Sequence, residues 1–398
     1  MKIAFVFPMC IEQFVPNIAN LALEESFVKR RQGFENFIAR SVKRQGHDVS
    51  LYYLTDLIKK ERCLTHIDGY DLKLIPPSLK AFHLKYPFEV SIHLLIAIDR
   101  ELRRGNIDLI HFHEYYSPMF FAISILCKIH KVPIVAHNHG GKLIGKGILK
   151  LFSYFLTLPS LFLSSKVLVL NKDEQSILLR KFKLPQDKIV ICRYGIDISF
   201  FHPISQNFAQ SSIGLSGQKA YILFVGRLSD FHKGISVLLR AFSNIARKVN
   251  NTFLIIAGNG PDEKKLKELA VSLGVKAKTH FVGHVETDLP LYYNSADIVV
   301  VPSLFEAFGI VNIEAMSCGK TVVASNVGGI REIITHEKTG FLVSPGNVEE
   351  LGDTILTLLR HPEIRKQIGE AAREEVTMKY SSQSLGKRLD AIYQSLAT

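Results

Sequence analysis

Cysteine is scarce in this sequence, and its few cysteines form no pattern. The chain has five cysteines among 398 residues, and no two of them form a Cys-x-x-Cys pair or show another metal-ligand spacing. An odd, scattered set of thiols is typical of a protein that resides in a reducing cytoplasm. We therefore predict a cytoplasmic protein without a thiolate metal site.

Long uncharged hydrophobic segments are also missing. The amino terminus, MKIAFVFP, is apolar over too short a stretch for a secretory signal peptide and is predicted to be a first strand. The most apolar stretch, residues 141–163, is too short and too interrupted by Lys150 and Pro159 to cross a bilayer. Any contact with a membrane is therefore expected to be peripheral.

Two functional motifs are absent as well. No Asp-x-Asp motif follows a strand in a context suited to a metal ion, and no nucleic-acid-binding module has a recognisable motif. We predict no metal, no cofactor and no nucleic-acid partner.

Size and composition point to a large globular protein with an uneven charge. Apolar residues make up 47% of the 398 residues, which is enough for two domains with buried cores. The net charge is +12; residues 1–205 hold 28 basic and 18 acidic residues, a net of +10. The basic excess of the first half favours an anionic membrane surface or an anionic substrate.

Strands and helices are predicted to alternate along the whole chain. Short β-branched runs recur between amphipathic segments, first over 1–205 and again from Tyr221 onwards. This alternation is the signature of α/β domains with doubly wound parallel sheets. Residues 205–217 are rich in Ser, Gln and Gly and are predicted to be a linker.

In the second half, the predicted strands end in glycines or polar side chains. Doubly wound sheets bind ligands at the carboxyl ends of their strands, so these positions are candidates for a ligand site. They are Gly226, Arg227, Gly258 and His284.

The segment DIVVVPSLFEAFGIVNIEAMSCG, residues 297–319, is predicted to be a strand, a turn and a helix. The first free amides of that helix would lie near Phe308, Gly309, Ile310 and Val311, which makes a seat for a phosphate. Two carboxylates flank the seat, Glu306 before it and Glu314 within the helix; such groups accept hydrogen bonds from sugar hydroxyls. The alternative is that Glu306 caps the helix and Glu314 is solvated on its outer face.

The same segment resembles a known donor-binding sequence. Its Pro-Ser, Phe-Gly and two glutamates eight residues apart are similar to those of the retaining GT-B glycosyltransferases of the large family four. VGRL followed by HKG resembles the paired Arg and Lys that hold a diphosphate in that family. The resemblance implies a GT-B fold, an α/β architecture of two Rossmann-like doubly wound domains facing a cleft. Residues 1–205 would bind the acceptor, residues 206–375 the nucleotide-sugar donor, and residues 376–398 would form a helix crossing back.

The resemblance also implies a reaction and roles for the site residues. A sugar would move from a nucleoside-diphosphate sugar to a hydroxyl of a sugar or lipid-linked acceptor, with retention and without a metal. Arg227 and Lys233 would stabilise the diphosphate, Glu306 would contact the sugar, and Glu314 would hold the ribose. The alternatives are a nucleotide-sugar epimerase, a phosphorylase, or a non-catalytic nucleotide-sugar-binding regulator.

Fewer residues of the first half match the family. Gly33 stands alone in the first loop, where relatives place phosphate-contacting glycines. His139 resembles the histidine of a His-Gly pair beside the donor sugar and is predicted to be catalytic. His111 is predicted to be structural, and because His111 and His113 alternate along a strand we expect only one of them on a given face.

Residues 142–163 are predicted to be a basic amphipathic helix. Lys142, Lys146 and Lys150 recur every four residues, and an apolar face that includes Phe155 lies opposite. Two interpretations remain open. The helix either contacts an anionic membrane at the inner face, or it packs its apolar side against the sheet with its lysines in water.

Overall fold

The chain folds into two compact units. A computed structural model describes residues 1–10, 34–80, 89–139, 148–217 and 219–397. One unit comprises Met1–Arg193 together with Ser382–Thr398, and the other comprises Tyr194–Ser381. The boundary thus precedes the expected position at residue 205, because Ile196 forms a bridge with Ser381 inside the second unit.

The first unit is built on a largely parallel sheet. Within the described residues its strand order is β10-β9-β8-β7-β1-β2-β4-β3, and only the β3–β4 pair is antiparallel. The strands are Lys2–Cys10 (β1), Asp48–Leu54 (β2), Arg62–Thr65 (β3), Asp71–Ile75 (β4), Leu109–His113 (β7), Ile134–His137 (β8), Lys166–Val169 (β9) and Ile189–Ile191 (β10), with a separate pair of Leu79–Lys80 (β5) and Glu89–Val90 (β6). Its helices before the second unit are Phe34–Lys43 (α1), Ile92–Arg103 (α2), Pro118–His130 (α3), Ile148–Leu163 (α4) and Lys172–Arg180 (α5).

Both faces of this sheet are covered. Side chains alternate between the two faces of a strand, so Ala4 and Val6 of β1 enter one core, which lies under α2 and α3. Ile3 and Phe5 enter the opposite core, which lies under α1. A strand that is buried on both faces has a nearly continuous apolar sequence, as β1 does.

The second unit has a parallel sheet with the order β13-β12-β11-β14-β15-β16. These strands are Ala220–Val225 (β11), Thr252–Ala257 (β12), Thr279–Gly283 (β13), Ile298–Val301 (β14), Thr321–Ser325 (β15) and Phe341–Val343 (β16). The helices are Gln206–Ser212 (α6), Asp230–Lys233 (α7), Ile235–Lys248 (α8), Glu263–Ser272 (α9), Leu289–Ser295 (α10), Ile310–Ser317 (α11), Ile330–Ile333 (α12), Val348–Arg360 (α13) and Pro362–Lys379 (α14). This is the strand order of a dinucleotide-binding Rossmann sheet, so the doubly wound α/β prediction is confirmed.

The linker prediction for residues 205–217 is wrong. Helix α6 lies there and packs against α10. The Gln210 side chain is buried and donates a hydrogen bond of 3.0 Å to the carbonyl of Ser295. The side chain of Gln210, part of the polar composition that suggests a linker, therefore donates to a carbonyl at the end of α10.

The final helix, Ser382–Gln394 (α15), belongs to the first unit. It packs on α1, and Leu385, Leu389 and Tyr393 are buried in the core that holds Ile3 and Phe5. Three buried side chains of this size contribute roughly 1.5–3 kcal/mol each. The helix is therefore an integral part of the first unit.

Candidate active site

The predicted site residues of the second unit gather where its strand order reverses. Strands β11 and β14 are neighbours, and the chain leaves them towards opposite halves of the sheet. Ligands of α/β proteins bind at the carboxyl ends of strands at such a point. Lys233 follows β11 and Glu306 follows β14, and the backbone amides of Leu304 and Phe305 donate to the carbonyl of His232 at 2.8 and 3.1 Å. The two loops are thereby joined.

Lys233 and Glu306 form an ion pair. The Lys233 Nζ atom lies 2.5 Å from Glu306 Oε2, and the two side chains are 26% and 15% exposed. The Ser303 hydroxyl donates a longer hydrogen bond of 3.4 Å to the same oxygen. Because both charges are more than half removed from water, each depends on the other for compensation.

Two glycines allow the loops around this pair to approach closely. Gly328, after β15, has a φ of +44°, and a Cβ there would lie 1.9 Å from the carbonyl oxygen of Glu306. Gly258, after β12, has a φ of +141°, and a Cβ there would lie 1.9 Å from the carbonyl oxygen of Gly226. Only glycine satisfies both the space and the backbone conformation. The loops after four adjacent strands are therefore packed backbone to backbone.

Helix α11 begins beside Glu306, as the phosphate-seat prediction expects. Gly309 precedes it with a φ of +91°, and Ile310 and Val311 form its first turn, where amides lack partners within the helix. Phe308 differs from the rest of the predicted set, because its side chain is 2% exposed and packs edge-on against Tyr194 at 5.1 Å. Only the backbone of Phe308 is placed to meet a ligand.

Glu314 lies further along α11 and is half-buried. Its Oε2 atom accepts a hydrogen bond of 2.6 Å from the hydroxyl of the fully buried Tyr293. Burial raises the pKa of Glu314 to about 7, and the bond from Tyr293 opposes that shift. The alternative of a solvated glutamate is therefore wrong for this carboxyl.

Arg227 and His284 are the exposed members of the predicted set in the second unit. Both side chains are exposed, Arg227 after β11 and His284 after β13. The amide of Gly258 donates a hydrogen bond of 2.6 Å to the carbonyl of Gly283, which ties the end of the edge strand β13 to β12. Arg227 and His284 both lie at the carboxyl edge of the sheet, and the side chain of Arg227 is more exposed than that of Lys233.

In the first unit, four histidines stack at the ends of β7 and β8. His111 and His113 both project to one face, with ring centroids 4.5 Å apart. The expectation that only one of them faces a given side is wrong, because residues two apart on a strand share a face. His113 Nδ1 lies 2.6 Å from His139 Nε2, and His111 Nε2 lies 3.2 Å from His137 Nδ1.

The histidine stack is neutral at physiological pH. Burial lowers the pKa of His137 to about 3 and lowers the pKa values of His111, His113 and His139 well below the usual range. His111 is fully buried, and its Nδ1 atom lies 2.6 Å from the hydroxyl of Tyr393 on α15. That position fits the structural role predicted for His111, while His139 keeps part of its surface accessible.

The ring nitrogens of His111, His113 and His137 lie within 4.8 Å of one another, which raises the question of a metal ion. The planes of His111 and His113 are only 12° apart, so their in-plane lone pairs run side by side and do not converge on one point. These three rings fit a hydrogen-bonded stack better than an ion site.

Some predicted residues lie outside the part of the chain that the structure describes. They are Gly33, Lys142 and Lys146, and the side chain of Lys150 is likewise not described. Of the predicted apolar face, Phe155 is exposed.

Comparison with known proteins identifies the family. A model of "Glycosyl transferases group 1" matches residues 205–375, and a model of "Glycosyltransferase Family 4" matches residues 37–200. The uncharacterized glycosyltransferase MJ1607 of Methanocaldococcus jannaschii is 32% identical over 375 residues, which cover 90% of this chain and 92% of that protein. The chain belongs to glycosyltransferase family 4. The resemblance noted in the sequence is thereby confirmed at the level of the family.

Other relatives match this glycosyltransferase over a shorter range. The D-inositol 3-phosphate glycosyltransferase of Saccharomonospora viridis is 32% identical over 218 residues, 52% of this chain and 50% of that protein.

Two solved structures share the fold over 99% of this chain. Anabaena Alr3699/HepE in complex with UDP has 19% identity and a TM-score of 0.76, with 100% of that chain covered. A Rickettsia africae glycosyltransferase has 22% identity and a TM-score of 0.74, with 98% of that chain covered. The GT-B fold prediction is confirmed.

Three features of this glycosyltransferase escape prediction from its sequence. They are the Lys233–Glu306 pair, the hydroxyl of Tyr293 on Glu314, and a pair of glutamates in the first unit, Glu114 and Glu174. All three join residues that are distant in sequence, so no local pattern marks them. None of the described helices is both long and apolar enough to span a bilayer.

Proposed function

We propose that this glycosyltransferase moves a sugar, with retention of configuration and without a metal ion, from a nucleoside-diphosphate sugar to an acceptor hydroxyl. The observation that carries the proposal is the Lys233–Glu306 pair at the start of α11, at the point where the strand order of the second unit reverses. A cation, a carboxylate and helix amides side by side suit a ligand that is anionic at one end and rich in hydroxyls at the other.

The two cations, Arg227 and Lys233, would assist the departure of the nucleoside diphosphate. Cleaving the sugar–phosphate bond places negative charge on the β-phosphate, and Arg227 and Lys233 would stabilise that charge together with the first amides of α11. Three positive groups reduce the need for a divalent ion. The Anabaena relative binds UDP, as its structure records, which supports a nucleoside diphosphate as the ligand of this fold.

Each of the two glutamates would bind a different set of hydroxyls of the donor. Glu306 lies next to the phosphate seat and would contact the transferred sugar, whereas Glu314 would hold the paired hydroxyls of the ribose. The hydroxyl of Tyr293 fixes one oxygen of Glu314 and thereby orients the other. His139, whose ring is held by His113, is proposed to contact the transferred sugar.

Retention distinguishes this proposal from related chemistry. Retaining hydrolases use a carboxylate nucleophile, but none is assigned here, so front-face attack assisted by the departing phosphate is the proposed route. A nucleotide-sugar epimerase would turn over its substrate without an acceptor, and a phosphorylase would need inorganic phosphate. A non-catalytic regulator would bind nucleotide sugars without releasing nucleoside diphosphate.

The acceptor is proposed to belong to cell-surface polysaccharide, glycolipid or glycoconjugate synthesis at the inner face of a membrane. On α4, Phe155 and Phe162 are 64% and 43% exposed, and on the adjacent α3, Ile129 is 65% exposed. Lys128 and Lys188 lie close enough for the charge of Lys128 to lower the pKa of Lys188, although burial is the larger cause. Exposed apolar side chains beside cations suit an anionic lipid surface.

A donor screen tests the proposal. Purified protein is heated with UDP-, GDP- and ADP-sugars, and a ligand at 100 times its dissociation constant should add about 2.7 kcal/mol of stability. Release of nucleoside diphosphate is then measured with and without acceptors, with EDTA and with inorganic phosphate. We expect release that acceptors accelerate and EDTA does not slow, and a product whose anomeric proton matches the donor's configuration. Turnover without any acceptor product, or an absolute need for phosphate, contradicts the proposal.

A further inference from the structure

Asn312 lies at the start of α11 and is completely buried. It is the third residue of the helix, and its exposed fraction is 0%. Its Nδ2 atom donates a hydrogen bond of 2.9 Å to the carbonyl of Gly309, and its own backbone amide donates one of 3.0 Å to the same oxygen. The carbonyl of Gly309 is therefore held by two donors of a single residue.

The other half of the Asn312 side-chain amide has no partner. Among the residues that the structure describes, none donates a hydrogen bond to its Oδ1 atom. Turning the amide over does not help, because Oδ1 would then face the carbonyl oxygen of Gly309, and both atoms are acceptors. A buried acceptor without a donor lowers stability, and asparagine is also a poor helix former. Stability alone therefore does not account for an asparagine at this position.

Gly309 joins the loop of Glu306 to α11. Its φ is +91° and its ψ is +59°, in the left-handed region that glycine adopts without strain. A Cβ at this position would overlap Nδ2 of Asn312 and would lie 3.3 Å from Cγ of Glu306. The side chain of Asn312 therefore packs against the turn that connects Glu306 to the helix.

The hydrogen bonds from Asn312 fix the direction of the peptide group between Gly309 and Ile310. This peptide bond is trans, so its C=O and its N–H point in opposite directions. Because the carbonyl is held towards Asn312, the amide of Ile310 points out of the end of the helix. Within the described part of the chain, the amides of Ile310 and Val311 donate to no acceptor, so both are available to a ligand.

The opposite orientation of this peptide group would be unfavourable for an anion. Glycine restricts its own backbone dihedrals less than any other residue, so the peptide group after Gly309 needs an external restraint. If that group turned over, the carbonyl oxygen of Gly309 would face the phosphate seat in place of the amide of Ile310. A carbonyl oxygen carries partial negative charge and repels a phosphate, whereas an amide attracts one.

We propose that Asn312 is a positioning residue of the phosphate seat, which holds the peptide group between Gly309 and Ile310 so that an amide, and not a carbonyl oxygen, meets the diphosphate. The inference rests on the function proposed above, because it takes a diphosphate to bind at the start of α11. Asn312 acts without touching the ligand, since its side chain is buried. The unpaired Oδ1 is the loss of stability that accompanies a side-chain donor on the carbonyl of Gly309.

The test uses two matched pairs of variants. Asn312→Ser and Asn312→Ala differ by one hydroxyl, and Asn312→Thr and Asn312→Val are similar in shape and differ in the same respect. In a helix, a Ser or Thr hydroxyl donates to the carbonyl three or four residues earlier, which from position 312 includes Gly309. The second pair fills more of the buried space and decides the question if Asn312→Ala does not fold.

UDP, GDP and ADP are titrated calorimetrically into the wild type, and the tightest binder is compared with its nucleoside on every variant. We expect Asn312→Ala to bind the diphosphate about 10-fold more weakly than Asn312→Ser, and Asn312→Val about 10-fold more weakly than Asn312→Thr, as is usual when a hydrogen bond to a charged group is lost. Affinity for the nucleoside should be equal within each pair, because only the phosphates meet the seat. Equal losses for nucleoside and diphosphate, or a change in melting temperature alone, would mean a merely structural role and overturn the proposal.

Failure of this inference and failure of the proposed function give different results. If the wild type binds a diphosphate and the two members of each pair bind it equally well, the role of Asn312 is wrong and the proposed function stands. If the wild type binds none of the three diphosphates, the proposed function fails, and the role of Asn312 fails with it.

Discussion

Lys233 and Glu306 compensate each other's charge, and both are also proposed to bind the sugar nucleotide. Their separation of 2.5 Å holds the ammonium beside the first turn of α11. A diphosphate bound there would share the ammonium with Glu306. In the proposed site the charges of this pair are already oriented before the ligand binds, and such preorganisation is what stabilises a developing anion.

The first prediction concerns the cations of the second unit. Lys233→Ala and Arg227→Ala should each lower turnover at saturating donor about 100- to 1000-fold, which is typical of removing one group that stabilises developing charge. Arg227 is exposed, so its variant should keep the wild-type melting temperature, whereas Lys233→Ala leaves Glu306 uncompensated and should lower it. Turnover and thermal unfolding are measured on both. Wild-type turnover in either variant removes that residue from the site.

The second prediction concerns the pH dependence of Glu314. Its pKa in the folded protein is about 7, above the ordinary 4.5, so its contribution favours the folded state at low pH and is lost as pH rises through 7. Glu314→Gln should therefore flatten the decline of the melting temperature between pH 5 and 8. It should also weaken nucleoside-diphosphate binding most above pH 7, where the carboxylate is ionised.

Glu306→Gln is the matched comparison for Glu314→Gln. It should lower transfer while sparing the affinity for nucleoside diphosphate, measured by calorimetry, because Glu306 is assigned to the sugar. Equal loss of plain nucleotide affinity in the two variants contradicts that division of roles.

At the scale of elements, the site depends on loops that only glycine lets approach. Gly328 packs on the carbonyl of Glu306, and Gly258 packs on that of Gly226. The loops after β11, β12, β14 and β15 are therefore packed backbone against backbone. Rigid support of this kind keeps catalytic groups within a fraction of an ångström of their working positions.

The third prediction tests this support with two glycine variants. Gly328→Ala should lower the free energy of unfolding and displace Glu306, because the added Cβ would lie 1.9 Å from a backbone oxygen. Gly274→Ala is the control; its φ is +72° and nothing lies within 4 Å of its Cβ, so it should cost about 1–2 kcal/mol and leave turnover unchanged. Urea unfolding and turnover are compared. Equal effects of the two substitutions would show that the close approach does not matter.

Elements with local signals were predictable, and contacts between distant residues were not. The buried strand β14 and the helix after Gly309 follow from an apolar β-branched run and a turn glycine. The composition of α6 predicts a linker wrongly, because its Ser and Gln side chains donate to backbone carbonyls within α6 and in α10, and composition alone does not reveal such hydrogen bonds. Glu114 carries no local signal either, since its place after a central strand of the first sheet follows only from the order of strands in that sheet.

At the scale of the whole molecule, the charge and the apolar surface suggest where the protein works. The net charge is +12, and residues 1–205 account for +10 of it. On helix α4, Leu161 is buried in the core, while Phe155 and Phe162 are exposed. The packing of one side against the unit thus leaves the other side available to a lipid surface.

The fourth prediction is salt-sensitive binding to anionic vesicles. Wild-type protein should sediment with phosphatidylserine-containing vesicles at low salt and be released at high salt, since each basic residue contributes on the order of 1 kcal/mol near such a surface. Replacing Phe155 and Phe162 by Ser should weaken the binding without changing donor affinity.

Phe208→Ser is the matched control for the vesicle experiment, because Phe208 is 61% exposed on α6 of the second unit. It should bind vesicles as the wild type does. Absence of wild-type sedimentation at low salt would favour a soluble acceptor and remove the membrane proposal.

The place of α15 in the chain has a consequence for biosynthesis. The ribosome makes the strands of the first unit first, yet the side chains of Leu385, Leu389 and Tyr393 that complete their core emerge only after Tyr194–Ser381 has been translated. A nascent chain therefore exposes the apolar surface around α1 throughout that interval, while the later unit already has all of its own residues. The unit that is made first therefore completes its core last. A chain that stalls before Ser382 keeps this apolar surface exposed, and such a surface is what chaperones bind.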